Sequence, residues 1–116
     1  MDNFDLEIKA AIDDISFGVE NVTILRDHQK SDVGSGVVML QVICHEQFIL
    51  LIRMSMIDGF QVLEYIDNNS NNNSNSKDIN QSFDSLSSLL MNYSDKYQLA
   101  FQQQLFNRLS KLSQQN

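Results

Sequence analysis

The chain has 116 residues, 42% of them hydrophobic, a single cysteine and a net charge of −7. This length suits one domain, residues 1–116, with a modest core. The acidic balance argues against nucleic-acid binding, and no apolar run reaches the roughly 18 residues of a membrane span.

The lone Cys44 excludes an internal disulfide, which favours a reducing compartment. The N-terminus is acidic and lacks the basic-then-apolar layout of a signal peptide. We therefore expect a cytoplasmic protein, with the nucleus as an additional location.

The first predicted element is a helix from Phe4 to Val22. Its apolar residues recur at helical spacing and form one stripe: Phe4, Ile8, Ala11, Ile12, Ile15, Val19 and Val22. A lesser second edge consists of Leu6, Ala10 and Phe17. Gly18 costs the helix about 1 kcal/mol relative to alanine, and we expect it to mark close packing against another element.

Strand patterns follow the helix and predict an antiparallel sheet of about four strands, hence an α+β fold. The predicted strands are Val22–Arg26, Val37–Cys44, Phe48–Met54 and Phe60–Ile66. Asp58-Gly59 is a strong hairpin signal between the last two. Both faces of the sheet carry apolar residues, so we expect both to be partly covered.

Nine residues from Asn68 to Ser76 are only asparagine and serine. Such a segment buries no apolar surface to offset its ordering entropy, so we expect a disordered insertion at about 67–81 within the domain. A short helix, about Ser82–Asn92, and a long one, Asp95–Ser113 with Ser94 as its N-cap, complete the predicted elements.

The long helix has more apolar surface than a core stripe needs. The predicted core stripe consists of Tyr97, Phe101, Leu105, Leu109 and Leu112. Leu99 and Phe106 form a narrower edge on roughly the opposite side. Either a loop or neighbouring helix cushions this edge, or the edge binds a partner. Arg108 and Lys111 suit the negative end of the helix dipole.

A catalytic site is not indicated. His28 and His45 are expected at the surface, and Cys44 diverges from His45 because adjacent strand residues point to opposite faces. Metal-ligand spacing of cysteine and histidine is missing. We predict no catalytic residues, no metal and no cofactor.

The chain resembles the glycogen synthase kinase-3 interaction protein family, the GSKIP domain, which is related to a segment of the clustered-mitochondria proteins. The first helix is similar at Ala10, Ile12, Asp14, Phe17, Val19 and Asn21, and the hairpin fits at Gly59 and Tyr65. The end of the chain matches at Ser88-Leu89-Leu90, Ser94, Tyr97, Ala100-Phe101, Leu105 and Arg108-Leu109.

The resemblance implies a non-enzymatic adaptor whose C-terminal helix docks on glycogen synthase kinase-3 and inhibits or scaffolds it. By position it assigns this contact to Leu109, with Phe101, Leu105 and Arg108 in support. Phe106 lies beside Leu109 and is expected to share its docking edge. A purely structural role for Leu109 is the alternative.

The resemblance also implies protein kinase A anchoring through the first helix, where Ile12 and Ile15 fit the pattern. Ser16 departs from it, because an apolar residue is expected there and its burial would contribute about 1.5–3 kcal/mol. We therefore predict weak or absent anchoring of the regulatory subunit. A second hypothesis is a structural module that forms a homodimer, or part of a clustered-mitochondria-type assembly, through Leu99 and Phe106.

Overall fold

The computed structural model describes residues 3–67 and 81–113, and it has the predicted α+β architecture. The elements are helix α1 (Asn3–Ile15), strands β1 (Asn21–Leu25), β2 (Val37–Ile43), β3 (Phe48–Ser55), β4 (Gly59–Asp67) and β5 (Ser82–Phe83), and helices α2 (Leu86–Tyr93) and α3 (Asp95–Ser113). The predicted Asn/Ser insertion lies almost wholly outside the described residues.

The five strands form one antiparallel sheet in the order β1-β2-β3-β4-β5. The predicted hairpin at Asp58-Gly59 is confirmed: Gly59 has a φ of 84°, and a Cβ there would lie 2.5 Å from the Phe83 carbonyl oxygen. The prediction missed β5 and gave its two residues to the short helix. Ser85 caps α2 by accepting a hydrogen bond from the Ser88 N–H (3.1 Å), so that helix begins at Leu86.

The first helix is shorter than predicted, because α1 ends at Ile15 and a 3₁₀ turn covers Ser16–Gly18. The Ser16 hydroxyl donates to the Ile12 carbonyl (2.7 Å), and glycine is a poor helix former. The β-branched run that follows suits a strand. Val22, predicted to end the helix, therefore lies in β1.

The hydrophobic core lies between the three helices and one face of the sheet. Sheet residues on this face are fully buried: Val38, Leu40, Val42, Cys44, Leu50, Ile52 and Val62. The helices contribute mainly Phe4, Ile8, Ile15, Leu86, Leu89, Leu90 and Tyr97. On the opposite face Met39 is buried, and Val37, Ile43, Ile49 and Leu51 are half-buried. Both faces are thus partly covered, as predicted.

Candidate functional site

Helix α3 is fixed to the domain by its first turns. The Tyr97 side chain is fully buried and lies 5.4 Å from the Phe17 ring, measured between centroids. Its hydroxyl is hydrogen-bonded to the Ser87 hydroxyl at 2.8 Å. A Cβ at Gly18 would come within 2.4 Å of the Tyr97 ring, which confirms that this glycine marks close packing.

The turn between β2 and β3 caps the start of α3. Ser94 is the N-cap, as predicted, because its hydroxyl oxygen accepts from the Tyr97 N–H at 3.0 Å. The same hydroxyl donates to Glu46 Oε1 at 2.8 Å, and the Lys96 N–H donates to Glu46 Oε2 at 2.9 Å. The Glu46 carboxylate thus satisfies one of the free N–H groups at the positive end of the helix.

The electrostatics of Glu46 reflect these contacts. Burial alone would raise the pKa of its carboxyl, but the hydrogen bonds from Lys96 and Ser94 outweigh burial and hold the pKa below its usual range. The sequence pattern did not point to Glu46, which lies in the turn between β2 and β3. A carboxylate in a hairpin turn gives no signal of a helix that begins far along the chain.

The second half of α3 is exposed. The exposed fractions of its large apolar residues are 63% for Leu99, 49% for Leu105, 66% for Phe106 and 55% for Leu109. Phe101 is half-buried and lies 6.4 Å from the Tyr97 ring. Among the described side chains, Phe101 is therefore the last of the predicted stripe to contact the core.

The assignment of Leu105 and Leu109 to a core stripe is thus wrong. Periodicity predicted the face correctly but could not show how far along the helix the core contacts extend, and among the described side chains they end at Phe101. The side chain of Leu112, the last member of the predicted stripe, lies outside the described residues.

The exposed residues form one surface. At about 100° per residue, Leu105, Leu109, Phe106 and Leu99 follow one another over an arc of roughly 120°. We call these four residues the α3 docking face. The exposed Arg108 lies beside Leu105 at its border. The two edges that the sequence separated are therefore continuous, with Leu109 near the middle.

The residues predicted to contact protein kinase A lie elsewhere, on α1. Ile15 is fully buried in the core, and Ile12 is half-buried. Ser16 is exposed and bonded to the Ile12 carbonyl. The side chain of Ile15 therefore contributes to the core rather than to an accessible face.

Chemistry-bearing side chains do not converge in the described part of the chain. Burial raises the pKa of the Cys44 thiol to about 12, with the nearby Glu46 charge adding to the effect, which leaves Cys44 a poor nucleophile. His45 is exposed and His28 half-buried. Across residues 3–67 and 81–113, no group of three or more potential metal ligands is found. None of the described helices is long and apolar enough to cross a membrane.

Comparison with protein-family models gives one clear finding. The model described as the GSKIP domain matches residues 4–112, nearly the whole chain. The match includes both the anchored first turns of α3 and the α3 docking face. A search of curated proteins finds no match.

Proposed function

Because the chain belongs to the GSKIP domain family, we propose that it is a non-enzymatic adaptor that binds glycogen synthase kinase-3 through the α3 docking face. The family is one of interaction domains. The observation that supports this surface most strongly is the exposure of four large apolar side chains on a helix whose first turns are firmly packed. Exposed apolar patches of this kind are typical of interaction sites.

The proposed binding mode is a helix in a groove. An amphipathic helix of this kind inserts side chains spaced by three and four residues into an apolar cleft of the partner. Leu105, Phe106 and Leu109 have that spacing. Tyr97 and the Glu46 cap already hold the helix in place, so binding has less backbone entropy to overcome than for a free peptide.

Leu109→Ala tests the proposal. Leu109 is 55% exposed, so its truncation should leave the fold intact and remove apolar area only from the complex. We expect about a tenfold or greater rise in the dissociation constant for purified glycogen synthase kinase-3, as for a central interface residue. Titration calorimetry measures this dissociation constant. Leu109→Pro breaks the last turns of the helix and should abolish binding.

The matched control is Asn107→Ala. Asn107 is exposed on the same turn but projects roughly 160° away from Leu109 around the helix. This variant should bind like the wild type. Unchanged binding by a folded Leu109→Ala would remove Leu109 from the site, and a wild type that does not bind the kinase would refute the proposal. Kinase activity towards a peptide, measured in the same titration, separates inhibition from scaffolding.

An alternative use of the same face is a homodimer, or a contact within a clustered-mitochondria-type assembly. The exposure of Leu99 and Phe106, at 63% and 66%, favours this second candidate. Light scattering across a concentration series measures the molar mass and so distinguishes a homodimer from a monomer. A dimer that dissociates in the Leu99→Ala and Phe106→Ala variants would support the alternative. A dimer that neither substitution weakens would exclude the α3 docking face as the dimer interface.

A further inference from the structure

Strand β1 forms the outer edge of the sheet. Within the described residues it pairs only with β2, so alternate backbone N–H and C=O groups along its other side have no strand partner. The strand NVTIL contains no proline and no charged side chain, the residues that commonly protect an edge from pairing. This edge is therefore chemically able to accept another strand.

A shallow trough of about 440 Å³ runs between α1 and β1. Its apolar lining is Ile8, Ile12 and Ile24, of which Ile8 is buried and the other two are half-buried. A strand added beside β1 would direct alternate side chains towards this trough. Apolar side chains at those positions would cover the exposed parts of Ile12 and Ile24.

We propose that the added strand is β1 of a second copy of this chain, paired antiparallel about a two-fold axis at Thr23. The two five-stranded sheets then become one continuous sheet. In this register Val22 lies opposite the second copy's Ile24, and Thr23 lies opposite itself. Opposed threonines stabilise antiparallel strands, and Val22 and Ile24 are β-branched residues, which pack well on a pleated sheet. The Val22 and Ile24 side chains of the second copy project towards the trough.

Charge complementarity identifies the second copy as the occupant. Glu20 precedes β1 and Arg26 follows it, so the antiparallel register places each Glu20 opposite the Arg26 of the other copy. Both residues alternate onto the same face as Val22 and Ile24. A shift of two residues in either direction would separate both charge pairs. The strand is thus complementary to itself in one antiparallel register.

The present contacts of these two charges are compatible with the dimer. Glu20 accepts a hydrogen bond from Gln47 Nε2 at 2.6 Å, and Arg26 Nη1 lies 3.3 Å from Asp5 Oδ1. Both contacts are exposed, and exposed pairs of this kind contribute little to stability. Each side chain also has further donor or acceptor capacity for a partner across the dyad.

Two opposite charge reversals test the proposal. Glu20→Arg places arginine opposite arginine, and Arg26→Glu places glutamate opposite glutamate. We expect the wild type to dimerise with increasing concentration in sedimentation equilibrium, and each variant alone to show about a tenfold or greater rise in the dimer dissociation constant. An equimolar mixture of the two variants restores both charge pairs and should dimerise like the wild type.

Thr23→Lys provides a test at the dyad, since it sets two lysines against each other at an exposed position. This variant should remain monomeric, with circular dichroism and thermal unfolding reporting its fold. A wild type that stays monomeric to millimolar concentration would overturn the proposal. A dimer that neither Glu20→Arg alone nor Arg26→Glu alone weakens would also overturn it. So would a failure of these two variants to associate when they are mixed. None of these outcomes bears on the proposed kinase binding, which uses α3 rather than β1.

Discussion

At the scale of single residues, the position of α3 depends on the contact between Gly18 and Tyr97. The buried Tyr97 ring lies directly against the glycine, with Phe17 and Phe101 on other sides. Burial also raises the pKa of the Tyr97 hydroxyl, so the phenol stays neutral and bonded to Ser87. The glycine is needed here for space rather than for an unusual φ.

Gly18→Ala should destabilise the protein. The new methyl group would meet the Tyr97 Cδ1 atom at 2.4 Å and force the ring or the 3₁₀ turn to move. Overpacking of a core typically costs about 1–3 kcal/mol. Urea denaturation measures this change in the free energy of unfolding.

Gly34→Ala is the matched control for that substitution. A Cβ at Gly34 would meet only Asp32 Oδ1, at an ordinary 3.7 Å. Its free energy of unfolding should stay the same or rise slightly, since alanine reduces the entropy of the unfolded chain. Equal changes in the free energy of unfolding for Gly18→Ala and Gly34→Ala would show that the Tyr97 contact does not cause the destabilisation.

At the scale of elements, α3 shows what a sequence pattern can and cannot predict. Its bounds, Asp95–Ser113, and its Ser94 cap agree with the prediction, because both depend on neighbouring residues. The end of its core contact at Phe101 depends on the extent of other elements, which periodicity does not contain. The same reason explains the missed β5: its pairing of Phe83 with Phe60 is a non-local contact.

Glu46→Gln tests the cap that joins the β2–β3 turn to α3. The pKa of Glu46 is lowered in the folded state, so its carboxylate stabilises the fold above the ordinary pKa of 4.5. That contribution is lost as the pH falls through the lowered value. At about pH 7 we expect Glu46→Gln to cost about 0.5–2 kcal/mol, the range of a helix cap.

The difference in stability between wild type and Glu46→Gln should shrink as the pH falls below 4.5. Urea denaturation across this range measures it. Glu64→Gln serves as the control, because Glu64 is exposed on β4 and should give a small difference at every pH. A pH-independent difference for Glu46→Gln would show that the charge of the cap is unimportant.

At the scale of the whole molecule, one half of α3 belongs to the core and the other half extends beyond it. The family match and the fold class follow the expectations drawn from the sequence. The exposure of Leu105 and Leu109, which joins them to Leu99 and Phe106 in the α3 docking face, required the structure. The sequence alone could not distinguish residues that face a sheet from residues that face solvent.

This division predicts a gradient of local stability. In the free protein the amides of β2 and β3, at the centre of the sheet, should exchange with solvent most slowly. Amides of α3 beyond Phe101 should exchange much faster, because few buried contacts oppose local opening there.

Hydrogen exchange with and without purified glycogen synthase kinase-3 is the most direct test of the proposed docking surface. On binding, we expect slower exchange in α3 from Leu105 to Lys111, with the amides of β2 and β3 unchanged. Protection confined to α1 or to the sheet, with α3 beyond Phe101 still exchanging freely, would contradict the proposal that this helix is the kinase-binding element.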